Sequence, residues 1–228
     1  LKSYTAPPPP EVVDGSAQVY PAVVAALLDL DNSYLAVQGP PGTGKTFVAS
    51  HVIRELVEHG WKIGVVAQSH AVIENVLNKA VQAGVPADQV GKKPNHGKEV
   101  PWQHTGANAV AELLEQEGGC LVGGTAWTMT GKQVAPGALD LLVIDEAGQY
   151  SLANTLAVSV AARNLLLLGD PQQLPQVTQA PTRSRWTFRR WAGFRTGSRS
   201  CPPSWATSWT PRGACTHSCV RRCPGSAT

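Results

Sequence analysis

The sequence predicts an α/β fold in which a parallel sheet is covered by helices on both faces. Short apolar runs alternate along residues 14–178 with longer stretches whose apolar residues recur at helical spacing. Strands of a parallel sheet are apolar throughout because both faces are buried, and helices connect them. The polar motifs of the chain follow the apolar runs, as expected where ligands bind at the carboxyl ends of parallel strands.

Composition limits what this fold can contain. The chain has 228 residues, of which 43% are hydrophobic, and this is enough for one α/β domain with a core. The sequence shows no signal peptide and no apolar run long enough to span a bilayer. We therefore expect a cytoplasmic protein without a membrane partner.

The chain divides into three parts by composition. Residues 1–13 contain a proline run, typical of a linker or of the edge of a preceding domain. Residues 14–178 hold the α/β pattern. Residues 179–228, the C-terminal tail, contain nine Arg, no Lys and no acidic residue. The tail carries +9 and the rest of the chain −6, which together give the net charge of +3. We expect the tail to be disordered because it has no periodicity.

The elements of the α/β part follow from apolar spacing and turn residues. Helices are predicted at residues 14–31, 47–58, 71–83, 107–116 and 151–162. Strands are predicted at residues 34–38, 62–67, 119–124, 139–144 and 164–168. Residues 90–106 are polar and are predicted to be irregular.

A glycine-rich stretch follows the first predicted strand. Residues 39–46 read GPPGTGKT and match the phosphate-binding pattern G-x-x-x-x-G-K-[ST] between a strand and a helix. Glycines let backbone N–H groups surround a phosphate chain, and the helix N-terminus adds partial positive charge. Lys45 is expected to reach the β- and γ-phosphates, and the Thr46 hydroxyl to bind Mg²⁺. The predicted nucleoside triphosphate site is formed by Gly39, Pro40, Gly42, Thr43, Gly44, Lys45 and Thr46.

Polar residues also close two later strands. Asp145 and Glu146 follow the predicted strand at residues 139–144, which is apolar except for Asp140. Asp145 can hold Mg²⁺ directly or through water, and Glu146 can polarise the attacking water. The alternative is an acidic turn without a catalytic role. After the next strand, Asp170 is expected to fix its loop, and Gln173 to hydrogen-bond to the γ-phosphate.

In this order, GPPGTGKT, DEAGQ and GDPQQLPQ resemble the first RecA-like domain of superfamily 1 helicases, in the subgroup with the DEAxQ signature. The resemblance covers residues 14–178. It implies a RecA-like P-loop NTPase fold, with ATP and Mg²⁺ as cofactors. It also implies that Lys45, Glu146 and Gln173 act in catalysis, that Thr46 and Asp145 bind the metal, and that Gln18 recognises adenine.

Two further segments resemble helicase motifs that contact a nucleic-acid strand. VAQSHAV at residues 66–72 resembles the segment that grips the strand backbone, with His70 where the family often has Asn. GTAW at residues 124–127 resembles a later strand-contacting motif. Trp127 can stack on a base, or it can belong to the core or to a lid. The candidate contacts are Ser69, His70, Thr125 and Trp127, and the partner is single-stranded nucleic acid, DNA rather than RNA.

The segment at residues 60–93 resembles bacterial proteins that place such a helicase behind a RecB-like nuclease domain. This resemblance implies an upstream nuclease domain. Lys92, Lys93 and His96 lie in the predicted irregular segment, where they contact either phosphates or solvent alone.

The helicase resemblance stops near Gln179, before the second RecA-like domain. Tryptophan has one codon, TGG, so a shifted frame converts each Trp-Thr pair to Asp and each Trp-Ala pair to Gly. In that frame residues 204–217 permit a sequence ending in Arg-Met-His-Pro, which resembles the opening motif of the missing domain. We interpret the tail as frame-shifted near codon 179, and the RecA-like domain as incomplete at its C-terminus.

These features lead us to expect the ATP-binding and ATP-hydrolysing motor domain of a superfamily 1 helicase. The isolated chain is expected not to unwind duplexes, because the second domain should supply the arginines that stabilise the transition state. Two alternatives stay open. One is a non-catalytic nucleic-acid-binding module that uses Ser69, His70, Thr125 and the tail. The other is a P-loop ATPase that is not a helicase.

Overall fold

The computed structural model describes residues 19–94 and 99–170 in full, and the backbone of residues 206–209 and 215–219. Six strands form one sheet in the order β1-β6-β5-β2-β4-β3, and every pairing is parallel. The strands are β1 (Tyr34–Gln38), β2 (Lys62–Val66), β3 (Val90–Gly91), β4 (Cys120–Gly123), β5 (Leu139–Ile144) and β6 (Ala162–Gly169). The predicted α/β class with a parallel sheet is confirmed.

Helices cross over between most of the strands. They are α1 (Val19–Leu28), α2 (Lys45–Glu58), α3 (His70–Gln82), α4 (Ala109–Glu115), α5 (Ala126–Met129) and α6 (Leu152–Ser159). Within the described residues, predicted and observed bounds of the long elements differ at their ends, where helices fray and caps decide the last turn. The sequence did not predict α5 or β3, and β3 falls inside the segment that was predicted to be irregular.

Two apolar cores lie on the two faces of the sheet. One holds the inward residues of α1, α2 and α3, and the other holds those of α4, α5 and α6. In β5, Leu141 and Val143 face the first core, whereas Leu142 and Ile144 face the second. This alternation explains the apolar run of residues 141–144 in β5, because neither face of that part of the strand meets water.

The strand order places three loops side by side at the carboxyl edge of the sheet. β6 is the last strand of the sheet along the chain, yet it lies between β1 and β5. The loops that follow β1, β5 and β6 therefore leave the sheet from adjacent strands. In an open parallel sheet this edge is where ligands bind.

A separate antiparallel pair lies within the tail. It joins β7 (Ala206–Trp209) to β8 (Cys215–Cys219), and the sequence did not predict it. The other tail residues lie outside the described ones, so the predicted disorder and frame shift stay predictions. Gln18 and Gln173 also lie outside the described residues. Among those described, the chain has no helix with the length and apolarity of a membrane span.

Candidate nucleotide and nucleic-acid site

The loop of residues 39–46, the phosphate loop, owes its shape to three glycines. Gly42 and Gly44 both have a φ of 78°, a left-handed conformation that side chains rarely adopt. A Cβ at Gly39 would lie 2.7 Å from the Thr43 hydroxyl oxygen. That hydroxyl donates a 2.7 Å hydrogen bond to the Pro40 carbonyl, which closes the loop on itself.

Lys45 is the first residue of α2, and its ammonium group lies inside the phosphate loop. Nζ donates hydrogen bonds to the carbonyls of Gly39 at 2.6 Å and Pro40 at 2.8 Å. Burial lowers the pKa of Lys45, and the carboxylates of Asp170, Asp145 and Glu146 oppose that shift. The N-terminus of α2 adds its partial positive charge at the same place. Positive charge thus faces three acidic side chains.

Asp145 and Glu146 follow β5 and open the acidic loop, residues 145–150. Asp145 is 6% exposed, and one of its carboxylate oxygens accepts a 2.9 Å hydrogen bond from the Glu146 N–H. Burial raises the pKa of Asp145, and this hydrogen bond opposes the shift. Glu146 has a φ of 54°, a strained value that it shares with only Asn32 among the described non-glycine residues. Strain of this kind concentrates at functional sites.

Backbone contacts join the three loops. The Gly39 N–H donates to the Gly169 carbonyl at 3.1 Å, and the Ala147 N–H donates to the Leu168 carbonyl at 2.8 Å. A Cβ at Gly148 would lie 2.8 Å from the carbonyl oxygen of Asp170. The structure therefore brings the phosphate loop, the acidic loop and the end of β6 into direct contact.

The oxygen donors at this edge suit a magnesium ion. Thr46 offers a hydroxyl and Asp145 a carboxylate, and Mg²⁺ prefers one or two such ligands together with waters and phosphate oxygens. Within the described ranges, no group of three or more His, Cys, Asp or Glu side chains could hold a metal. The donor set therefore matches a metal that arrives with a nucleotide rather than a metal held by protein ligands alone.

The candidate strand contacts lie after β2 and β4, which are neighbours in the sheet. Ser69 caps α3, and its hydroxyl accepts a 3.3 Å hydrogen bond from the Val72 N–H, while His70 is exposed at the start of that helix. Thr125 precedes α5, and Trp127 on α5 is 88% exposed. Trp127 is therefore not a core residue, which leaves its indole ring available for stacking.

Lys92 is placed differently from the prediction. It is 2% exposed, and it pairs with Glu74 instead of facing solvent or phosphates. The charge pattern could not show this, because the partner lies on another element. Gln68 was not singled out as a site residue. Its Nε2 donates to the Gln149 carbonyl at 2.9 Å and so joins the segment after β2 to the acidic loop.

This geometry defines the class of the domain. A phosphate loop between β1 and α2, with Lys45 facing the carboxylates that follow β5 and β6, is a P-loop nucleotide-binding domain. A family model described as AAA domain matches residues 19–185, so the chain belongs to that family. Together with its similarity to DNA replication helicase/nucleases, this match supports a RecA-like domain of the superfamily 1 helicase type.

Several known proteins are similar to this chain. The DNA replication ATP-dependent helicase/nuclease JHS1 of Arabidopsis thaliana is 26% identical over 153 residues, which are 64% of this chain and 11% of that protein. The helicase/nuclease DNA2 of Saccharomyces cerevisiae is 25% identical over 158 residues, which are 64% of this chain and 10% of that protein. The chain thus spans about a tenth of the length of these relatives.

A solved structure supports the fold. A nuclease-deletion mutant of the Type ISP restriction-modification enzyme LlaGI, in complex with a DNA substrate mimic, is 15% identical with a TM-score of 0.50. The match covers 68% of this chain and 17% of that one. At this identity the likeness shows the fold alone. The DEAxQ subgroup and the RecB-like fusion stay predictions.

Proposed function

We propose that this domain binds ATP with Mg²⁺ and hydrolyses it to move along single-stranded DNA. The observation that carries the proposal is that the phosphate loop with Lys45 and the acidic loop with Asp145 and Glu146 both hydrogen-bond to the end of β6, beside Asp170, at the ends of three adjacent strands. A cation and several carboxylates around a phosphate loop are what phosphoryl transfer to water requires.

Each residue at this edge has a proposed role. Lys45 exchanges its hydrogen bonds to loop carbonyls for bonds to the β- and γ-phosphates, and the N-terminus of α2 holds the phosphate chain. Thr46 and Asp145 hold the Mg²⁺, which when bound neutralises charge on the phosphate oxygens. Glu146 polarises the attacking water. From the resemblance, Gln173 contacts the γ-phosphate and Gln18 recognises adenine.

Turnover requires cations from outside the described residues. Those residues contain two arginines, and neither lies at the phosphate loop. Arg54 forms an ion pair with Glu58 at 3.0 Å on α2. Arg163 lies at the amino end of β6, whereas the phosphate loop lies at the carboxyl ends of the strands. We propose that a second RecA-like domain supplies the arginines that stabilise charge in the transition state.

The strand surface is formed by Ser69, His70, Thr125 and Trp127. The exposed indole of Trp127 supports a stacking contact, because aromatic faces bind unpaired bases without sequence preference. The names of the relatives, DNA replication helicase/nucleases, favour DNA as the strand. They also support an associated nuclease domain, which we include in the proposal.

Nucleotide and strand titrations test this function on the same protein. Lys45→Ala should abolish binding of a fluorescent ATP analogue, whereas Lys132→Ala, at an exposed lysine away from the phosphate loop, should not change it. ATP should change the affinity for a labelled oligothymidylate. Strand binding that ignores ATP and survives Lys45→Ala would instead identify a non-catalytic binding module. Hydrolysis that nucleic acid never affects would identify an ATPase that is not a helicase.

A further inference from the structure

A buried ion pair joins α3 to the segment that follows β3. Lys92 Nζ is 2.8 Å from a carboxylate oxygen of Glu74, and the two side chains are 2% and 6% exposed. Nζ also donates to the Lys93 carbonyl at 2.9 Å. Neither the nucleotide chemistry nor the strand contacts described above use this pair.

The backbone holds Lys92 on two sides. Its N–H donates to the His104 carbonyl at 3.0 Å, and its carbonyl accepts a 2.9 Å hydrogen bond from the buried indole N–H of Trp102. A Cβ at Gly123 would lie 3.2 Å from Lys92 Cδ and 2.9 Å from Ile73 Cγ2. The lysine side chain therefore passes closely over the end of β4 to reach α3.

The pair connects the two segments that carry the strand contacts. Glu74 lies one helical turn after His70 on α3, and Gly123 is the last residue of β4, just before Gly124 and Thr125. β3, which precedes Lys92, pairs with β4. A change in the Glu74–Lys92 distance would move Ser69 and His70 relative to Thr125 and Trp127.

Stability alone does not explain such a pair. Removing two charges from water is costly, and apolar residues of similar volume often replace a buried pair without loss of stability. What an ion pair adds is a fixed distance and direction between the elements that carry it. We propose that Glu74 and Lys92 are positioning residues that set the spacing of the single-strand surface. This inference rests on the proposed strand binding.

A charge-neutral double variant tests the role. Glu74→Leu with Lys92→Met fills the same space and leaves the net charge unchanged, so general electrostatic attraction to nucleic acid does not change. Arg54→Met with Glu58→Leu is the charge-neutral control, because it removes a solvent-exposed ion pair within α2. Affinities for a labelled oligothymidylate and for a fluorescent ATP analogue are measured below the melting temperature of every variant.

We expect the first double variant to bind the oligonucleotide about tenfold more weakly, as for coupled neighbouring residues, and the control to bind it as the wild type does. The affinity for the ATP analogue should stay within about twofold in both, because β1, which the phosphate loop follows, lies at the opposite edge of the sheet from β3. Trp127→Ala should lower oligonucleotide affinity less when it is added to the first double variant than when it is made in the wild type. The reason is that the double variant has already moved the indole away from its binding position.

Three results would overturn the inference. In one, the double variant binds the oligonucleotide as the wild type does. In another, both affinities fall together, which indicates a merely structural pair. In the third, Trp127→Ala and Ser69→Ala leave wild-type oligonucleotide binding unchanged, which removes the proposed strand surface itself. If the double variant does not fold, Glu74→Gln, which keeps an acceptor oxygen, must lower oligonucleotide affinity selectively or the inference fails.

Discussion

At the scale of single residues, Glu146, which we propose polarises the attacking water, is held in a strained backbone conformation. A non-glycine residue in the left-handed region costs roughly 1–2 kcal/mol, yet the acidic loop holds Glu146 at a φ of 54°. The Asp145 carboxylate accepts the Glu146 N–H, and the Ala147 N–H bonds to β6, so the backbone on both sides of Glu146 is fixed.

Replacing Glu146 by glycine should therefore not destabilise the domain. Glycine relieves the strain but loses more freedom on folding, so we expect the free energy of unfolding to stay level or rise by up to about 1 kcal/mol. Glu55→Gly, inside α2, should lower it by about 1 kcal/mol. Urea unfolding compares the two variants. An equal loss in both would show that the fold does not strain Glu146.

Cys120 should resist alkylation in the folded domain. This buried thiol lies on β4, and burial raises its pKa from 9.0 to about 11. Because the fold disfavours the thiolate, the contribution of Cys120 to the free energy of unfolding is complete below pH 9, the pKa of the unfolded thiol. This contribution is lost as the pH rises through the pKa of the folded thiol. At about pH 9.5 iodoacetamide should leave the Cys120 peptide unmodified in buffer and modify it in urea, as seen by mass spectrometry. Rapid modification in buffer would contradict the burial.

At the scale of elements, the glycines of adjoining loops decide how close the loops can lie. The acidic loop packs on the end of β6 through backbone atoms, since a Cβ at Gly148 would lie 2.8 Å from the Asp170 carbonyl oxygen. A methyl group there must separate Asp145 and Glu146 from Asp170, and so must reshape the surroundings of Lys45.

We expect Gly148→Ala to lower the free energy of unfolding by about 1–3 kcal/mol through overpacking, and to weaken nucleotide binding. Gly106→Ala is the matched control. Its added methyl group meets no atom within 4 Å, and its φ is not positive, so it should be neutral or slightly stabilising. Thermal unfolding and titration with an ATP analogue measure both effects. Equal behaviour of the two variants would rule out the loop contact as the cause.

Some elements of the fold could be predicted from the sequence and others could not. β1, the phosphate loop and α2 were predictable because a strand run, a turn motif and helical spacing are all local. β3 and α5 have two and four residues, too few for any periodicity to show. The burial of Lys92 depends on Glu74, 18 residues away, and on the pairing of β3 with β4. Only the assembled sheet brings those groups together.

At the scale of the whole molecule, we propose that the described residues supply one side of a catalytic site. We expect the 228-residue chain to bind nucleotide, to hydrolyse it slowly and not to unwind a duplex with a single-stranded overhang. A transition-state arginine contributes ~10³–10⁵ in rate in other phosphoryl-transfer enzymes, and we propose that it comes from the second domain. Steady-state hydrolysis and a strand-displacement assay measure this. Robust unwinding by the chain alone would refute it.

Sequencing the coding DNA around codon 179 tests the frame shift that we infer for the tail. A single inserted or missing nucleotide should restore Arg-Met-His-Pro downstream, and the restored protein should then show the faster, strand-dependent hydrolysis. If the frame stands as written, the tail is a genuine basic segment, and its nine arginines attract nucleic acid in a strongly salt-dependent way.

The position of β6 between β1 and β5 also affects how the domain folds during its synthesis on the ribosome. β1 ends at Gln38, but β6, its strand partner in the parallel sheet, begins at Ala162. A ribosome adds ~5–20 residues per second, so β1 waits on the order of 6–25 s for its partner to be synthesised. Until then the nascent chain carries an apolar strand with a bare edge, a target for chaperones and for aggregation. A ribosome that stalls before Ala162 would therefore have synthesised the phosphate loop and the acidic loop. Without β6, those two loops would not be held next to each other.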